Sequence, residues 1–229
     1  MLIDHSNGRV LESREKDVVV RWLKGGKESG LLSAVEEVTC DMWDAYVQAS
    51  REVFGPTLRI TIDRFHVMKN FQDRLNDARR ELQRRLDPAR AKELKGSRWL
   101  WVTNPENLTA EQRAELEVLK RKFPDLGRPA DHREALRRIF QDQRITTPAT
   151  AIDRLRWWCR QSVRLGLKAL EQFNKTLENW MEQIANYVVS RSSNGRTEGF
   201  NRGLRAILWR ACGMRNFRHF RLRVLHVFG

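Results

Sequence analysis

No apolar run in the 229 residues approaches the roughly 20 residues that span a bilayer, so a membrane-spanning helix is excluded as an organising element. The Met1 end has no basic segment leading into an apolar stretch of signal-peptide type, and the expected location is the cytoplasm. Cysteine is scarce: Cys40, Cys159 and Cys212 lie far apart without a C-x-x-C pair, which argues against a zinc knuckle and against a disulfide framework. All three are expected to be reduced and buried. RNP, KH and G-x-x-G signatures are absent, which weakens a reading as a basic RNA-binding protein.

Acid is also in short supply. Lys and Arg number 43 against 29 Asp and Glu, a formal net charge of +14, which points to a polyanionic partner. The imbalance is concentrated: from Arg196 to Arg223 there are eight arginines and one acid, Glu198. Arginine rather than lysine suits bidentate phosphate contacts. No segment with a broad, bulky apolar face stands out as a membrane anchor.

What is present begins with short runs. MLID and GRVLES flank Asn7-Gly8, a hairpin signal. DVVVRWL (Asp17 to Leu23) either extends that sheet or opens a helix. Val35, Val38, Thr39 and Cys40 then lead to Asp41, and a helix is predicted from Met42 to Val53, ended by Gly55-Pro56. Leu58, Ile60 and Ile62 alternate at period two, as in a strand with one buried face, and stop at Asp63. Strand, aspartate, helix, strand, aspartate places both carboxylates at the carboxyl edge of a parallel pair. Asp41 is equally in place as a helix cap, since aspartate is among the best N-caps.

From His66 to about Asn186 the pattern is helical and highly charged. LTAEQ carries a T-x-x-Q capping box (Thr109, Gln112), and a long helical stretch from Ile152 is predicted to break at Gly166. Trp99, Trp101, Trp157, Trp158 and Trp180 are expected in the core rather than on a base-stacking platform. A last helix starts near Thr197, with Phe200, Leu204, Ile207 and Ala211 on one face and Glu198, Asn201, Arg202 and Arg205 on another. An i,i+4 salt bridge from Glu198 to Arg202 is the plain reading of that acid. Carboxylates at two strand ends and a distant glutamate are also hard oxygen ligands of the kind that gather Mg²⁺ or Mn²⁺, two of which can serve phosphodiester cleavage.

CDMWDAY, DRFHVMKN, LTAEQ and SNGRTEGFNRGLRAILWRACGMRNF together resemble bacterial insertion-sequence transposases of the ISL-three family. The resemblance implies an α/β fold, an RNase H-like mixed sheet with a large helical insertion, and a DDE triad working with Mg²⁺ or Mn²⁺ in a two-metal site. By it, Asp41 is the second triad aspartate and Glu198 the triad glutamate, both catalytic and metal-binding, while Asp63 and His66 form a supporting D-x-x-H pair. The cations expected to meet double-stranded DNA are Arg64, Lys69, Arg196, Arg202, Arg205 and Arg210. The organisation expected is residues 1–72 and 187–229 as parts of the RNase H-like domain and 73–186 as the insertion. The family's first triad strand has no counterpart here, since Asp4 is the only aspartate ahead of Asp17. A sheet incomplete at its N-terminus, a truncated and catalytically impaired transposase, and nucleoid association when on DNA are therefore expected. The full-length form is expected to be a homo-oligomer without membrane contact. The competing reading is a non-catalytic fragment that binds DNA or the full-length enzyme and inhibits it.

Overall fold

In the computed structural model the residues described are 3–4, 9–10, 15–193, 195–212 and 216–228. Four short strands are present among them: β1 (Ile3–Asp4), β2 (Arg9–Val10), β3 (Glu37–Cys40) and β4 (Arg59–Ile62). Around these, α1 (Lys16–Glu28) precedes β3, α2 (Asp44–Phe54) joins β3 to β4, and α3 (Arg64–Arg85) follows β4. The helical run continues as α4 (Pro88–Gly96), α5 (Arg98–Val102), α6 (Ala110–Lys122), α7 (Pro124–Gln141) and α8 (Pro148–Arg164). It ends with α9 (Glu171–Asn179), α10 (Met181–Ala185), α11 (Tyr187–Ser190), α12 (Gly195–Arg210) and α13 (Phe217–Phe228).

The chain forms two compact units, one of Met1–Asp63 with Ser192–Gly229 and one of Arg64–Arg191. The division between these compact units falls at 63/64 and 191/192. The physical reason is that α3 is one unbroken helix from Arg64, packed on α7 and α9. At the other end Arg191 is tied into the second unit. Its guanidinium donates to the carbonyls of Phe140 (2.6 Å), Asp142 (2.9 Å) and Ile145 (2.9 Å), at and just beyond the end of α7.

In the first unit, β1 and β2 pair antiparallel, with Ile3 opposite Val10 and Asp4 opposite Arg9. The Asn7-Gly8 turn predicted between them lies outside the described residues, as does the side chain of Asp4. β3 and β4 form a separate parallel pair in the register Glu37–Arg59, Val38–Ile60, Thr39–Thr61 and Cys40–Ile62. The α/β class holds, but the described strands make two small sheets instead of one mixed sheet. DVVVRWL is helical: in α1, Val19, Val20 and Leu23 form a face buried against Ala49 and Val53 of α2, which overrides the β propensity of a valine run. Burial of each such side chain contributes about 1.5–3 kcal/mol. Glu52 of α2 pairs with Lys16 at 3.0 Å and Lys24 at 3.5 Å, and Lys27 donates to the Val53 carbonyl at 2.7 Å. Gly55 stops α2 with φ 96, a left-handed-side conformation that strains other residues.

The second unit is helical throughout. Trp158 is fully buried, stacked on His132 at 4.1 Å and edge-on to Phe71 and Phe173. Its indole N–H donates to the His132 carbonyl at 2.9 Å, and the His132 ring nitrogen Nε2 lies 3.1 Å from the Trp158 carbonyl. The capping box at Thr109 and Gln112 is formed, and the break at Gly166 occurs, with φ 62 just after α8. Trp101 joins the core with Trp158, but Trp99 (68% exposed) and Trp157 (52%) do not. Trp99 instead lies beneath the Arg98 guanidinium, 5.2 Å from its ring centroid. No helix of the described residues is long and apolar enough to cross a membrane.

Candidate active site

Two strands of four residues each carry an aspartate to the same edge. Cys40 and Ile62 are register partners, so Asp41 and Asp63, the next residue of each chain segment, occupy equivalent positions at the carboxyl ends of adjacent parallel strands. Neighbouring strands lie roughly 4.8 Å apart, which sets the scale of the backbone separation there. Asp41 is half-buried and Asp63 is buried. β4 reaches this edge with Ile60, Thr61 and Ile62 all buried, and the Thr61 hydroxyl donates to the Glu37 carboxylate across the pair.

Asp41 does not occupy the cap of the helix that follows. The N-cap position of α2 belongs to Trp43, which supplies no side-chain cap, and the Trp43 amide donates to the Asp41 backbone carbonyl at 2.7 Å. The Asp44 carboxylate, in the first turn, is the acid placed to meet the helix dipole. Next to Asp41, burial and the aspartate's charge push the Cys40 thiol up to about 12, so Cys40 is a neutral core residue and no nucleophile. Cys159 is likewise buried, whereas Cys212 is exposed, contrary to the expectation that all three are buried. It follows α12 at a left-handed φ of 47, where the chain leaves the helix and its packed face ends.

Glu198 sits in the first turn of α12, half-buried, in the same unit as Asp41 and Asp63. Leu204 is fully buried against Phe220 and Val224 of α13, with Ile207 and Leu208 packed alongside, so this side of α12 faces its partner helix. A Cβ on Gly203 would lie 2.4 Å from the tip of the Phe228 ring, so a larger residue there would push that ring aside. The opposite side carries Glu198, Arg202 and Arg205. Arg202, Arg205 and Arg210 are exposed, as are Arg218, Arg221 and Arg223 of α13. None of these six is ion-paired among the described residues, so Arg202 does not make the i,i+4 bridge expected with Glu198. The Arg196 side chain lies outside the described residues. A further residue, not among the predicted site residues, continues this stripe: Trp209, 87% exposed, four residues past Arg205. Its signal was spacing, i+11 from Glu198 on one helix face.

The remaining predicted residues belong to the second unit. His66 is half-buried in the first turn of α3, its ring edge-on to Phe65 at 5.6 Å, so the D-x-x-H pair straddles the division between units. Arg64 is exposed and stacks over the Tyr187 ring at 5.7 Å, and Lys69 is exposed but paired with Asp73 at 3.7 Å. As cations for DNA they are less available than the arginines of α12 and α13.

Asp41, Asp63 and Glu198 have the donor chemistry of hard divalent ions. Among the described residues, no three His, Cys, Asp or Glu side chains are gathered as a metal-holding group.

A family described as transposases, the DDE type named ISL3, matches the chain over residues 3–224. The transposase for insertion sequence element IS1001 of Bordetella parapertussis is 28% identical over 203 residues, covering 87% of this chain and 49% of that protein. The chain thus spans about half the length of the curated relative it matches. No solved structure matches it.

Proposed function

The chain belongs to the ISL3 family of DDE transposases, and from that membership we propose that it is the part of an insertion-sequence transposase that binds double-stranded DNA and carries two of the three catalytic carboxylates. In this reading Asp41 and Glu198 are the triad members, with Asp63 and His66 in support. The reaction is cleavage of a phosphodiester at the element's end, followed by attack of the freed 3′-hydroxyl on target DNA. The ions are Mg²⁺ or Mn²⁺, with Asp41 and Glu198 among their ligands. The surrounding fold is RNase H-like, its helical insertion being residues 73–186, and the full-length form acts as a homo-oligomer. The observation that carries the proposal is the paired placement of Asp41 and Asp63 at one parallel-strand edge, each followed by a helix, in the unit that also holds Glu198.

Holding two of three such carboxylates makes a definite claim about activity. Groups that cooperate at a reacting phosphate act as a unit, and losing one removes most of the rate. The test is a nicking assay on element-end DNA with Mg²⁺ or Mn²⁺. It compares the 229-residue chain with the same chain joined to upstream residues that supply a further strand-borne aspartate. The chain alone nicks negligibly and the joined form nicks, with Asp41→Ala or Glu198→Ala abolishing that activity. Metal-dependent nicking by the chain alone that survives Glu198→Ala overturns the assignment.

The second reading is a non-catalytic fragment that binds DNA and inhibits the full-length enzyme. It predicts DNA binding without nicking in either form.

A further inference from the structure

Trp209 is the most exposed large hydrophobic side chain among the described residues, at 87%, ahead of Val163 at 69% and Trp99 at 68%. Single exposed apolar residues are common and need no explanation by themselves. The placement of this one is what requires an account. Glu198, Arg202, Arg205 and Trp209 are spaced by four, three and four residues, so they form one stripe along α12, opposite the face that Leu204, Ile207 and Leu208 bury against α13. Unlike Trp99, which has the Arg98 guanidinium over its ring, the Trp209 indole has no ring or cation–π contact among the described residues. An open indole therefore ends a row of two exposed arginines that begins at the candidate catalytic glutamate, about 16 Å away along the helix at 1.5 Å per residue.

We infer that Trp209 stacks on an unpaired base of a DNA strand whose phosphates Arg202 and Arg205 hold. The inference rests on the DNA-binding reading above and goes beyond it by naming the form of DNA. A basic groove with an aromatic platform is the arrangement that binds single strands, because every base has a π-face to stack and the arginines track the backbone without reading sequence. A fully paired duplex keeps its bases stacked on one another and offers an indole nothing to cover. The ligand is DNA with nucleotides unpaired beside a duplex, as at an opened or overhanging end. Trp209 is a positioning residue in this account, placing the strand that passes Glu198.

The test is fluorescence anisotropy of the full 229-residue chain on two DNAs of equal length at one salt concentration, one fully paired and one with several unpaired bases at an end. Trp209→Ala and Trp209→Phe are compared with the natural residue, and 2-aminopurine at the unpaired positions reports stacking. Trp209→Ala lowers affinity for the unpaired DNA about 5- to 150-fold while leaving the paired duplex within about twofold. Trp209→Phe keeps most of the affinity, and the quenching of 2-aminopurine disappears only with alanine. Equal losses on both DNAs, as from a folding defect or a plain contact, overturn the inference, and so does no loss on either. Altered self-association of the Trp209→Ala chain with unchanged DNA binding assigns the indole to a protein interface and also overturns it. If the natural chain binds neither DNA, the DNA-binding reading fails and this inference falls with it. Duplex binding without the Trp209 effect overturns the inference alone.

Discussion

Removing Arg202 and Arg205 together should change how DNA binding responds to salt more than it changes the fold. Both side chains are exposed and neither is ion-paired among the described residues, so their loss leaves no buried charge behind. Each arginine that neutralises a phosphate releases condensed counterions and contributes about −0.9 to the slope of log affinity against log salt. With Arg202, Arg205, Arg210, Arg218, Arg221 and Arg223 all engaged, the slope for duplex DNA is about −5, and affinity falls about a thousandfold between 50 and 200 mM salt. The double substitution Arg202→Ala, Arg205→Ala reduces the slope by about 2 units and weakens binding to unrelated duplexes equally, because phosphate contacts carry no sequence. Lys69→Ala, which removes a cation already paired with Asp73, moves the slope by less than one such contact. Anisotropy titrations on a duplex at four or more salt concentrations measure this. A slope that the double substitution leaves unchanged refutes the assignment of α12 as a phosphate-binding face.

The second unit should lose stability in mild acid. Burial pulls the His132 pKa below its ordinary value, so the folded chain holds this ring neutral while the unfolded chain protonates it near 6.5. Its contribution is fully present above that pH and is lost as pH falls through the lower folded value, at up to about 1.4 kcal/mol per pH unit. Urea midpoints from pH 8 to pH 5 measure it, and a decline in that window that is unchanged in His132→Gln contradicts the reasoning. In the native protein, one of three thiols, Cys212, should react promptly with a disulfide reagent at pH 8, because Cys40 and Cys159 are buried and pushed up to about 12. A Cys212→Ser chain in which any thiol still reacts promptly without denaturant refutes that.

The part of the site built from local order was legible in the sequence. Period-two apolar residues stopping at Asp63 announce β4, Gly55-Pro56 ends α2, and the Thr109–Gln112 pair opens α6, each a signal contained in a few neighbouring residues. Features decided by distant packing were not legible. The valines of α1 read equally as strand until Ala49 and Val53 are known to receive them. Trp158 and Trp157 are adjacent in sequence, yet only the first turns toward His132 and Phe173. The end of the first unit at Asp63 depends on α3 packing against helices more than fifty residues away. Asp41 and Asp63 were recognisable as strand-end aspartates, but their exact pairing is a matter of register, which a one-residue slip would have undone. The openness of Trp209 is likewise not legible, because an aromatic at the end of an amphipathic helix fits a core position as well as an exposed one.

The central claim is that Asp41 and Glu198, with Asp63 close by, hold the divalent ion when DNA is bound. Iron-directed cleavage tests it most directly, since Fe²⁺ replaces Mg²⁺ at oxygen ligands and, with ascorbate and peroxide, cuts the polypeptide only near where it is held. On the DNA-bound chain, the account predicts cuts close to Asp41, Asp63 and Glu198 together, suppressed by excess Mg²⁺ and lost in Asp41→Ala. Cuts confined to other segments, or cuts near Glu198 that persist unchanged in Asp41→Ala, would contradict it.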